Sequence, residues 1–320
     1  MVGDMKKELI SVVIPAYNEE GNLPQLIGEI IDTLESFQYE IIVVNDGSSD
    51  NTEKIVEEMH HQDHRINLIS LSRNFGHQAA LLAGLEKATG DCVISIDADL
   101  EQPPKLMLEM IQKWHEGSDI VYSIHQEAKY EGWFKKMTSR WFYKVFNFLT
   151  GMKLAQSCDF RLMDKKVVKA LRHIGERSLF LRGMVVWMGF QSDYVYYTRG
   201  KRTFGMTHYP FKKMLNLALN GIISFSIRPL HFIVLFGILI GFIGCMLMVW
   251  IAYLKFFTDK TIAGWSSLTG IVLMLGGAQL FVMGIIGEYI GILVSETKRR
   301  PRYLIRKSTL KKRRSYVSAD

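Results

Sequence analysis

Two aspartates, Asp97 and Asp99, follow a short apolar run at residues 93–96. In an extended backbone, residues two positions apart point to the same side, so both carboxylates face one point beyond the end of the strand. An open α/β sheet binds its ligand at that edge. Two such carboxylates beside an anionic substrate can bind Mg²⁺ or Mn²⁺, with phosphate oxygens completing the coordination shell. The alternative is a pair of solvated aspartates in a turn that precedes the next helix.

The segments around this motif alternate between strands and helices. Apolar runs predict strands at residues 9–14, 40–44, 66–71, 92–96 and 119–123, and helical spacing predicts helices at 23–34, after Asp50, at 76–88 and at 103–114. Strands that alternate with amphipathic helices predict the α/β class, with a mostly parallel, doubly wound sheet.

Polar loops follow the first four strands and, in such a sheet, line one crevice. Tyr17 offers a stacking face, Asp46 offers an acceptor for a base or a ribose, and Arg73 offers a cation. These side chains are the parts of a nucleotide site, although each loop alone is also compatible with an ordinary turn. Neither GxGxxG nor GxxxxGK[ST] occurs, so neither a dinucleotide cofactor nor a P-loop is indicated.

The basic residues are concentrated near the end of the chain. The formal net charge is +7, and residues 298–314 contain ten Lys and Arg and no acid. Such tails bind nucleic acid or anionic membranes, and the position of this one directly after an apolar segment favours lipid headgroups over nucleic acid. Three cysteines, Cys92, Cys158 and Cys245, lack metal-ligand spacing and indicate a reducing compartment. The first apolar run is too short for a secretory signal.

Two long apolar segments follow the α/β part of the chain. No Asp, Glu, Lys or Arg occurs between residues 229 and 254, and a second apolar run at 267–294 is interrupted only by Glu288. Each run can cross a bilayer about 30 Å thick, so the two predict a transmembrane helical hairpin. Basic residues at both outer ends place the α/β domain in the cytoplasm. A helix at 130–150, apolar on one side and cationic on the other, is predicted to lie in the membrane interface or else to pack against the core.

Four sequence strings, VVIPAYNEE, VVNDGSSDNT, LSRNFGHQAALLAG and DADLEQPP, resemble the successive motifs of glycosyltransferase family 2, which has the GT-A fold. With DFRLMD, GEYIG and KRRPRYL, the resemblance to polyprenyl-phosphate glycosyltransferases reaches about residue 305. It implies that the donor nucleotide is bound by Pro15, Ala16, Tyr17, Glu19, Asp46, Arg73 and Asp97. It also implies a Mg²⁺ or Mn²⁺ ion at Asp97 and Asp99. Glu101 is a third metal-ligand candidate, at a position where relatives usually carry Gln.

The resemblance places Asp159, in a polar loop, opposite the acceptor, and makes Asp159 and Asp99 the catalytic residues. A lipid phosphate is already mostly ionised at neutral pH, so Asp159 either acts as a base or orients the acceptor and completes the metal and donor geometry. The basic loop at 199–209 resembles a family motif in which His208 replaces the usual Lys, and His125 stands where relatives tend to carry Arg. The acceptor and the diphosphate are therefore assigned to Lys129, Arg140, Arg202 and His208.

The resemblance implies inverting transfer of one sugar from a nucleotide sugar to undecaprenyl phosphate, at the cytoplasmic face of the plasma membrane, for glycosylation of the cell envelope. The whole-chain match favours UDP-glucose, while UDP-N-acetylglucosamine, UDP-aminoarabinose and GDP-mannose stay open as donors. It also implies a homo-oligomer, a tetramer. The alternatives are a processive polysaccharide synthase and a non-catalytic, membrane-anchored binding protein. Against the first, the string nearest to QxxRW, at residues 137–141, lacks the Gln.

The expected organisation of the chain has four parts. Residues 1–205 form the GT-A domain, with a nucleotide-sugar half at 1–125 and an acceptor half at 126–205. Residues 206–228 form juxtamembrane interfacial helices, and residues 229–296 form two transmembrane helices. Residues 297–320 form a basic cytoplasmic tail.

Overall fold

The computed structural model describes residues 8–125, 144, 147–149, 151, 157–176, 180–197, 226–257 and 264–310. The chain divides into two compact units. The first unit comprises residues 1–143, 152–209 and 300–320, and the second comprises residues 144–151 and 210–299.

The first unit is built on one mixed sheet, which has eight strands among the described residues. The strands are β1 (Leu9–Ala16), β2 (Gln38–Asn45), β3 (Ile66–Leu71), β4 (Cys92–Ser95), β5 (Ile120–His125), β6 (Ser157–Asp164), β7 (Ser192–Tyr197) and β8 (Ile305–Ser308), in the spatial order β7-β5-β6-β4-β1-β2-β3-β8. The helices of this unit are α1 (Leu23–Thr33), α2 (Thr52–Gln62), α3 (His77–Lys87), α4 (Leu106–His115), α5 (Lys165–His173) and α6 (Leu181–Trp187).

Strands β1 to β4 are neighbours in the sheet and parallel to one another, as the sequence predicts. β1 pairs in parallel with both β2 and β4, and β2 pairs in parallel with β3. Strands covered on both faces read as continuous apolar runs, and β1 and β2 are buried along most of their length for this reason. The predicted α/β class is therefore confirmed, and the carboxyl ends of β1 to β4 meet at one edge of the sheet.

β6 differs from the expectation, because residues 157–164 form a strand and not a polar loop. β6 lies between β4 and β5 and is antiparallel to both, so the sheet is mixed. Four of the seven pairings among the described strands, including that of β5 with β7, are parallel. Phe160 and Leu162 alternate along it with Asp159 and Arg161, and all four side chains are buried. A buried acid and a buried arginine removed the apolar signal by which a strand is usually recognised.

β8 is a second departure, because it takes residues from the expected basic tail into the sheet. It pairs antiparallel with β3, and the backbone N–H of Ser72 donates to the carbonyl of Leu304 at 2.8 Å. Arg306 and Lys307 form ion pairs with Glu53 and Glu57 of α2 at 2.5 and 2.6 Å. The structure thus adds a short strand inside the segment expected as a basic tail at 297–320. The sequence of this strand, IRKS, has neither the length nor the apolar content of a typical strand signal.

The second unit contains two long helices, α7 (Arg228–Phe257) and α8 (Trp265–Thr297). Within the part of the chain that is described, one segment is long and apolar enough to cross a membrane, Met274–Thr297, with a mean hydropathy of 1.7. A shorter apolar segment covers Arg228–Gly244. The expected pair of transmembrane helices therefore corresponds to two long helices, of which one meets the criteria of length and composition. Most of the interfacial helix predicted at 130–150 lies outside the described residues.

Candidate active site

The loops that follow β1 and β2 are joined to each other by side-chain hydrogen bonds. The backbone N–H of Asn18 donates to Ser48 Oγ at 3.0 Å, and the side-chain oxygen of Asn18 accepts from the N–H of Ser49 at 2.9 Å. The N–H of Glu19 donates to Thr52 Oγ1 at 3.0 Å. These bonds fix one wall of the crevice at the carboxyl edge of the sheet.

Four of the predicted donor residues lie on this wall. Pro15 and Ala16 are buried at the end of β1, so their main chain is the part that can face a ligand. Tyr17 is 48% exposed and presents a ring on which a base can stack. Glu19 is partly buried and accepts a hydrogen bond from Asn22 Nδ2 at 2.7 Å.

Asp46 ties the loop after β2 to the loop after β3. It is 2% exposed, and its two oxygens accept from the N–H groups of Phe75 and Gly76 at 2.7 and 2.9 Å. Burial raises the pKa of the Asp46 carboxyl, and these two hydrogen bonds oppose the rise. In this structure the predicted acceptor for a base or ribose therefore organises the neighbouring loop.

Gly47 makes this close approach of the two loops possible. Its φ is +70°, and a Cβ at this position would lie 2.6 Å from the carbonyl carbon of Arg73. No other residue type fits both the conformation and the space. Arg73 itself is exposed, and its guanidinium lies 4.1 Å from the centre of the Phe75 ring. The predicted donor cation thus stands on a loop that Asp46 and Gly47 hold in place.

The acidic motif after β4 forms a tight turn. The N–H of Glu101 donates to Asp99 Oδ1 at 3.2 Å, and Leu100 between them has a φ of +59°, a left-handed conformation that costs a leucine energy. Gln102 holds Asp97 at two points: Gln102 Nε2 donates to Asp97 Oδ2 at 3.0 Å, and the N–H of Asp97 donates to Gln102 Oε1 at 3.2 Å. The turn therefore fixes the orientation of both aspartates.

Carboxylate oxygens are the ligands that Mg²⁺ and Mn²⁺ prefer, so Asp97 and Asp99 fit the chemistry of such an ion. Glu101 is 7% exposed and follows in the same turn. Among the described residues, no group of three acidic, histidine or cysteine side chains is close enough to hold a metal ion by itself. These residues fit an ion whose coordination is completed by oxygens of a bound diphosphate.

His77, the first residue of α3, connects the metal motif to Asp159 of β6. Its Nε2 lies 2.9 Å from Asp97 Oδ1, and its Nδ1 lies 4.0 Å from Asp159 Oδ2. Burial lowers the pKa of His77, but the hydrogen bond and the charge of Asp97, together with the charge of Asp159, outweigh it and raise the pKa. One imidazole ring thus separates the two aspartates that the sequence assigned to the donor and to the acceptor.

Asp159 is surrounded by cations. Arg161 Nη2 lies 2.5 Å from its Oδ1, and Arg182 of α6 donates from Nε to Oδ1 at 3.0 Å and from Nη2 to Oδ2 at 2.8 Å. Gln78 Nε2 adds a longer contact at 3.4 Å. Burial raises the pKa of Asp159, but Arg182 and Arg161 outweigh burial and hold the pKa well below its ordinary value. Asp159 is therefore an ionised carboxylate with little tendency to accept a proton.

Five polar side chains of this site were not predicted from the sequence: His77, Gln78, Gln102, Arg161 and Arg182. The first four stand inside or directly beside motif strings, so proximity to a motif was the available signal. Arg182 lies in no such string, and only the packing of α6 brings it to Asp159. The predicted acceptor residues Lys129, Arg140, Arg202 and His208 lie outside the described residues, and His125 is the last residue of β5.

Comparisons with known proteins identify the family of the chain. The profile of Glycosyl transferase family 2 matches residues 11–172. A protein of Bacillus subtilis named uncharacterized glycosyltransferase YkcC is 44% identical over 302 residues, which cover 93% of each chain. The SfII prophage-derived bactoprenol glucosyl transferase of Shigella flexneri is 38% identical over 302 residues, which cover 93% of this chain and 98% of the relative.

A solved structure, glucosyl-3-phosphoglycerate synthase from Mycobacterium tuberculosis in complex with phosphoglyceric acid, aligns with a TM-score of 0.49 and 19% identity, over 71% of this chain and 84% of that one. The family profile covers the crevice loops and both aspartate motifs, and the two relatives extend the similarity over nearly the whole chain. On these grounds the chain belongs to glycosyltransferase family 2.

Proposed function

We propose that this glycosyltransferase moves a single sugar from a nucleoside-diphosphate sugar to a polyprenyl phosphate, with inversion at the anomeric carbon. The observation that carries the proposal is the position of His77 between Asp97 and Asp159, at 2.9 and 4.0 Å. A displacement at the anomeric carbon needs the leaving diphosphate on one side and the nucleophile on the other. The two aspartates mark two such sides, a short distance apart.

The acceptor class is supported by the relatives. Bactoprenol glucosyl transferases of Shigella flexneri and of Shigella phage SfX are each 38% identical to this chain over 300 or more residues. Bactoprenol in their names denotes a polyprenyl lipid, and glucosyl denotes the sugar. We therefore favour UDP-glucose as the donor, and UDP-N-acetylglucosamine, UDP-aminoarabinose and GDP-mannose are the competing donors.

The mechanism follows from charge. An oxygen of the acceptor phosphate forms the new bond to the anomeric carbon, while the bond to the diphosphate oxygen breaks and its electron pair leaves with the nucleotide. The nucleophile is already an anion, so no residue has to remove a proton from it. Asp97 and Asp99 would hold Mg²⁺ or Mn²⁺, which offsets the charge of the leaving diphosphate when bound. Asp159, ionised between two arginines, orients groups on the acceptor side.

A membrane location is supported by the second unit. Large apolar side chains on α7 and α8 are about half exposed or more, among them Phe232, Leu235, Phe236, Ile238, Phe242, Leu280, Phe281 and Leu293. So much exposed apolar surface needs a cover, and α8 contains a segment that is long enough to span a bilayer.

The connectivity of the sheet supports two crossings and not one. β8 follows α8 in the chain and pairs with β3 of the catalytic sheet, so the chain leaves that sheet and returns to it. A single crossing would leave β8 on the opposite side of the membrane from β3. We therefore propose that α7 and α8 cross the membrane as a pair, with the catalytic unit in the cytoplasm.

The test is a transfer assay with the purified full chain, undecaprenyl phosphate in detergent, Mn²⁺ or Mg²⁺, and one labelled nucleotide sugar at a time. We expect a labelled lipid from one donor, which is lost when EDTA is added. A labelled polymer would favour a processive synthase. Binding of UDP without transfer from any donor would favour a non-catalytic binding protein and would refute the proposed function.

A further inference from the structure

Asn45, the last residue of β2, holds the start of the loop that carries Asp46. It is 1% exposed, and its side-chain amide is engaged at both ends. Asn45 Oδ1 accepts from the N–H of Ser48 at 2.9 Å, and Asn45 Nδ2 donates to Glu53 Oε2 at 2.9 Å. Both bonds form only when the amide is turned the right way, because its oxygen accepts and its nitrogen donates. Glu53 therefore fixes the orientation of Asn45, and Asn45 in turn fixes Ser48.

Ser48 passes this constraint on to the loop after β1. Its Oγ accepts from the N–H of Asn18 at 3.0 Å, and Asn18 Oδ1 accepts from the N–H of Ser49 at 2.9 Å. Asn18 has a φ of +57°, a left-handed conformation that is uncommon in residues other than glycine. Tyr17, whose ring can stack on a base, directly precedes it. The orientation of Asn45 thus affects both loops of this wall of the crevice.

Glu53 has a second partner, which comes from the other end of the chain. Arg306 Nη2 of β8 lies 2.5 Å from Glu53 Oε2, the same oxygen that accepts from Asn45. A cation beside the carboxylate keeps it ionised and favours a fixed position of the acceptor that Asn45 needs. The side chains of Glu53 and Arg306 are 23% and 59% exposed, so solvent weakens the ion pair. We therefore expect a large effect from Glu53 and a smaller one from Arg306.

A second ion pair joins the same strand to the same helix. Lys307 Nζ lies 2.6 Å from Glu57 Oε1, and these side chains are 50% and 28% exposed. Glu57 comes four residues after Glu53, about one helical turn further along α2. The two pairs hold β8 on α2 in similar ways. Among the described residues, only the first pair continues through a hydrogen bond to Asn45.

Resting on the proposed function, which puts the donor nucleotide at this wall of the crevice, we propose that Glu53 and Arg306 are positioning residues for nucleotide binding. They act through Asn45 on the two loops, and this role requires no contact of their own with the ligand. The segment after the last long helix then contributes to donor affinity, besides adding a strand to the sheet. Arg306, which the sequence placed in a tail for lipid headgroups, is given a role in the donor site.

The experiment compares the two ion pairs in the full chain. Glu53→Ala removes the acceptor of Asn45, Glu53→Gln keeps an oxygen acceptor without the charge, and Arg306→Gln removes the cation. Glu57→Ala and Lys307→Gln are the matched controls, because they break the neighbouring pair. For each variant in detergent, the Kd for UDP with Mn²⁺ is measured by calorimetry, and the melting temperature is measured by thermal unfolding.

Loss of a hydrogen bond to a charged group corresponds to about a 10-fold change in an equilibrium constant, and loss of an exposed ion pair corresponds to about 2- to 5-fold. We expect Glu53→Ala to raise the UDP Kd by about 10-fold, and Glu53→Gln and Arg306→Gln to raise it by about 2- to 5-fold. Glu57→Ala and Lys307→Gln should leave the Kd unchanged. Variants of both pairs should lower the melting temperature by similar amounts, because each pair anchors β8.

A UDP Kd that neither Glu53→Ala nor Arg306→Gln changes would overturn the inference. So would control variants that raise the Kd by the same factor, since the effect would then come from the docking of β8 in general. If Glu53→Ala does not fold, Glu53→Gln and Arg306→Gln decide between these outcomes. A wild-type chain that binds neither UDP nor GDP would instead refute the proposed function, and the inference with it.

Discussion

The Asp159 carboxyl combines deep burial with a low pKa. Burial raises the pKa, but Arg182 and Arg161 outweigh burial and hold it below the ordinary value of 3.8. A carboxyl whose pKa is lower in the folded state stabilises the fold at every pH above its ordinary pKa. That stabilisation is lost as the pH falls below about 4, towards the pKa of the folded state.

Replacing Asp159 with Asn should therefore destabilise the protein in a pH-dependent way. The substitution leaves the buried Arg161 without its counter-charge, and breaking a buried pair in this manner costs about 3 kcal/mol. The free energy of unfolding, measured by urea titration in detergent, should differ by that amount at pH 7. The difference should shrink as the pH falls below about 4. If the free energies of unfolding of the two proteins differed by the same amount at all pH values, the neighbouring arginines would not be lowering the pKa of Asp159.

Glu101 should contribute to metal affinity, because it adds a third negative charge to the turn of Asp97 and Asp99. Substitution of a residue next to a metal ligand typically weakens binding by about 10- to 100-fold. We expect Glu101→Gln to weaken Mn²⁺ binding by that factor in the presence of UDP, read from the electron paramagnetic resonance signal of free Mn²⁺. Glu58→Gln, on the exposed face of α2, is the control and should have no effect. Unchanged affinity in Glu101→Gln would remove Glu101 from the metal site.

At the scale of elements, α3 determines where His77 and Gln78 stand, and Gly84 determines how closely α3 packs on the sheet. A Cβ at Gly84 would lie 2.3 Å from Val13 Cγ1 and 3.0 Å from Val44 Cγ2. Gly84→Ala should therefore cost about 1–3 kcal/mol of unfolding free energy and lower the transfer rate, because α3 must move away from the sheet.

Gly28 of α1 provides the opposite case, since no atom lies within 4 Å of a Cβ placed there. Alanine is favoured over glycine inside a helix by up to about 1 kcal/mol. Gly28→Ala should therefore stabilise the protein and leave transfer unchanged. Thermal unfolding and the transfer assay, run on both variants, test the pair. If Gly84→Ala stabilised the protein as Gly28→Ala is expected to do, the close packing of α3 on the sheet would be contradicted.

The elements also show which parts of the fold can be predicted from sequence. β1 to β4 are buried on both faces, so their apolar runs identify them, and the alternation with helices gives the class. β6 was missed because its polar side chains, Asp159 and Arg161, are buried at the candidate active site. In a typical half-buried strand, polar side chains face the solvent. The role of β6 as a pairing partner of β4 and β5 depends on contacts distant in sequence, which no local pattern encodes.

The same distinction holds for the site. Asp97, Asp99 and Tyr17 could be located from the sequence, because the end of a predicted strand determines their position. The contacts of Asp159 with His77 and Arg182 could not, since these residues come from three separate elements. A residue's type gives its chemistry, while its partners follow from the tertiary fold.

For the whole molecule, the return of β8 to the sheet predicts membrane topology. Single cysteines placed at the N-terminus, after residue 310, and between α7 and α8 can be labelled from one side of sealed vesicles in a chain whose native cysteines are replaced. We expect the first two sites to react from the cytoplasmic side and the third from the opposite side. If the site after residue 310 reacted from the side of the membrane opposite to the N-terminal site, the pairing of β8 with β3 would be contradicted.

The distance along the chain between β3 and β8 has a consequence for biosynthesis. Leu68 and Thr309 are hydrogen-bonded across 241 positions, so the edge of the sheet stays open until the ribosome has made both long helices and the segment after them. A chain that stops early exposes the bare edge of β3, which is a template for aggregation and a mark of an incomplete product. The sheet of the first unit therefore closes only after both long helices and β8 have been synthesised.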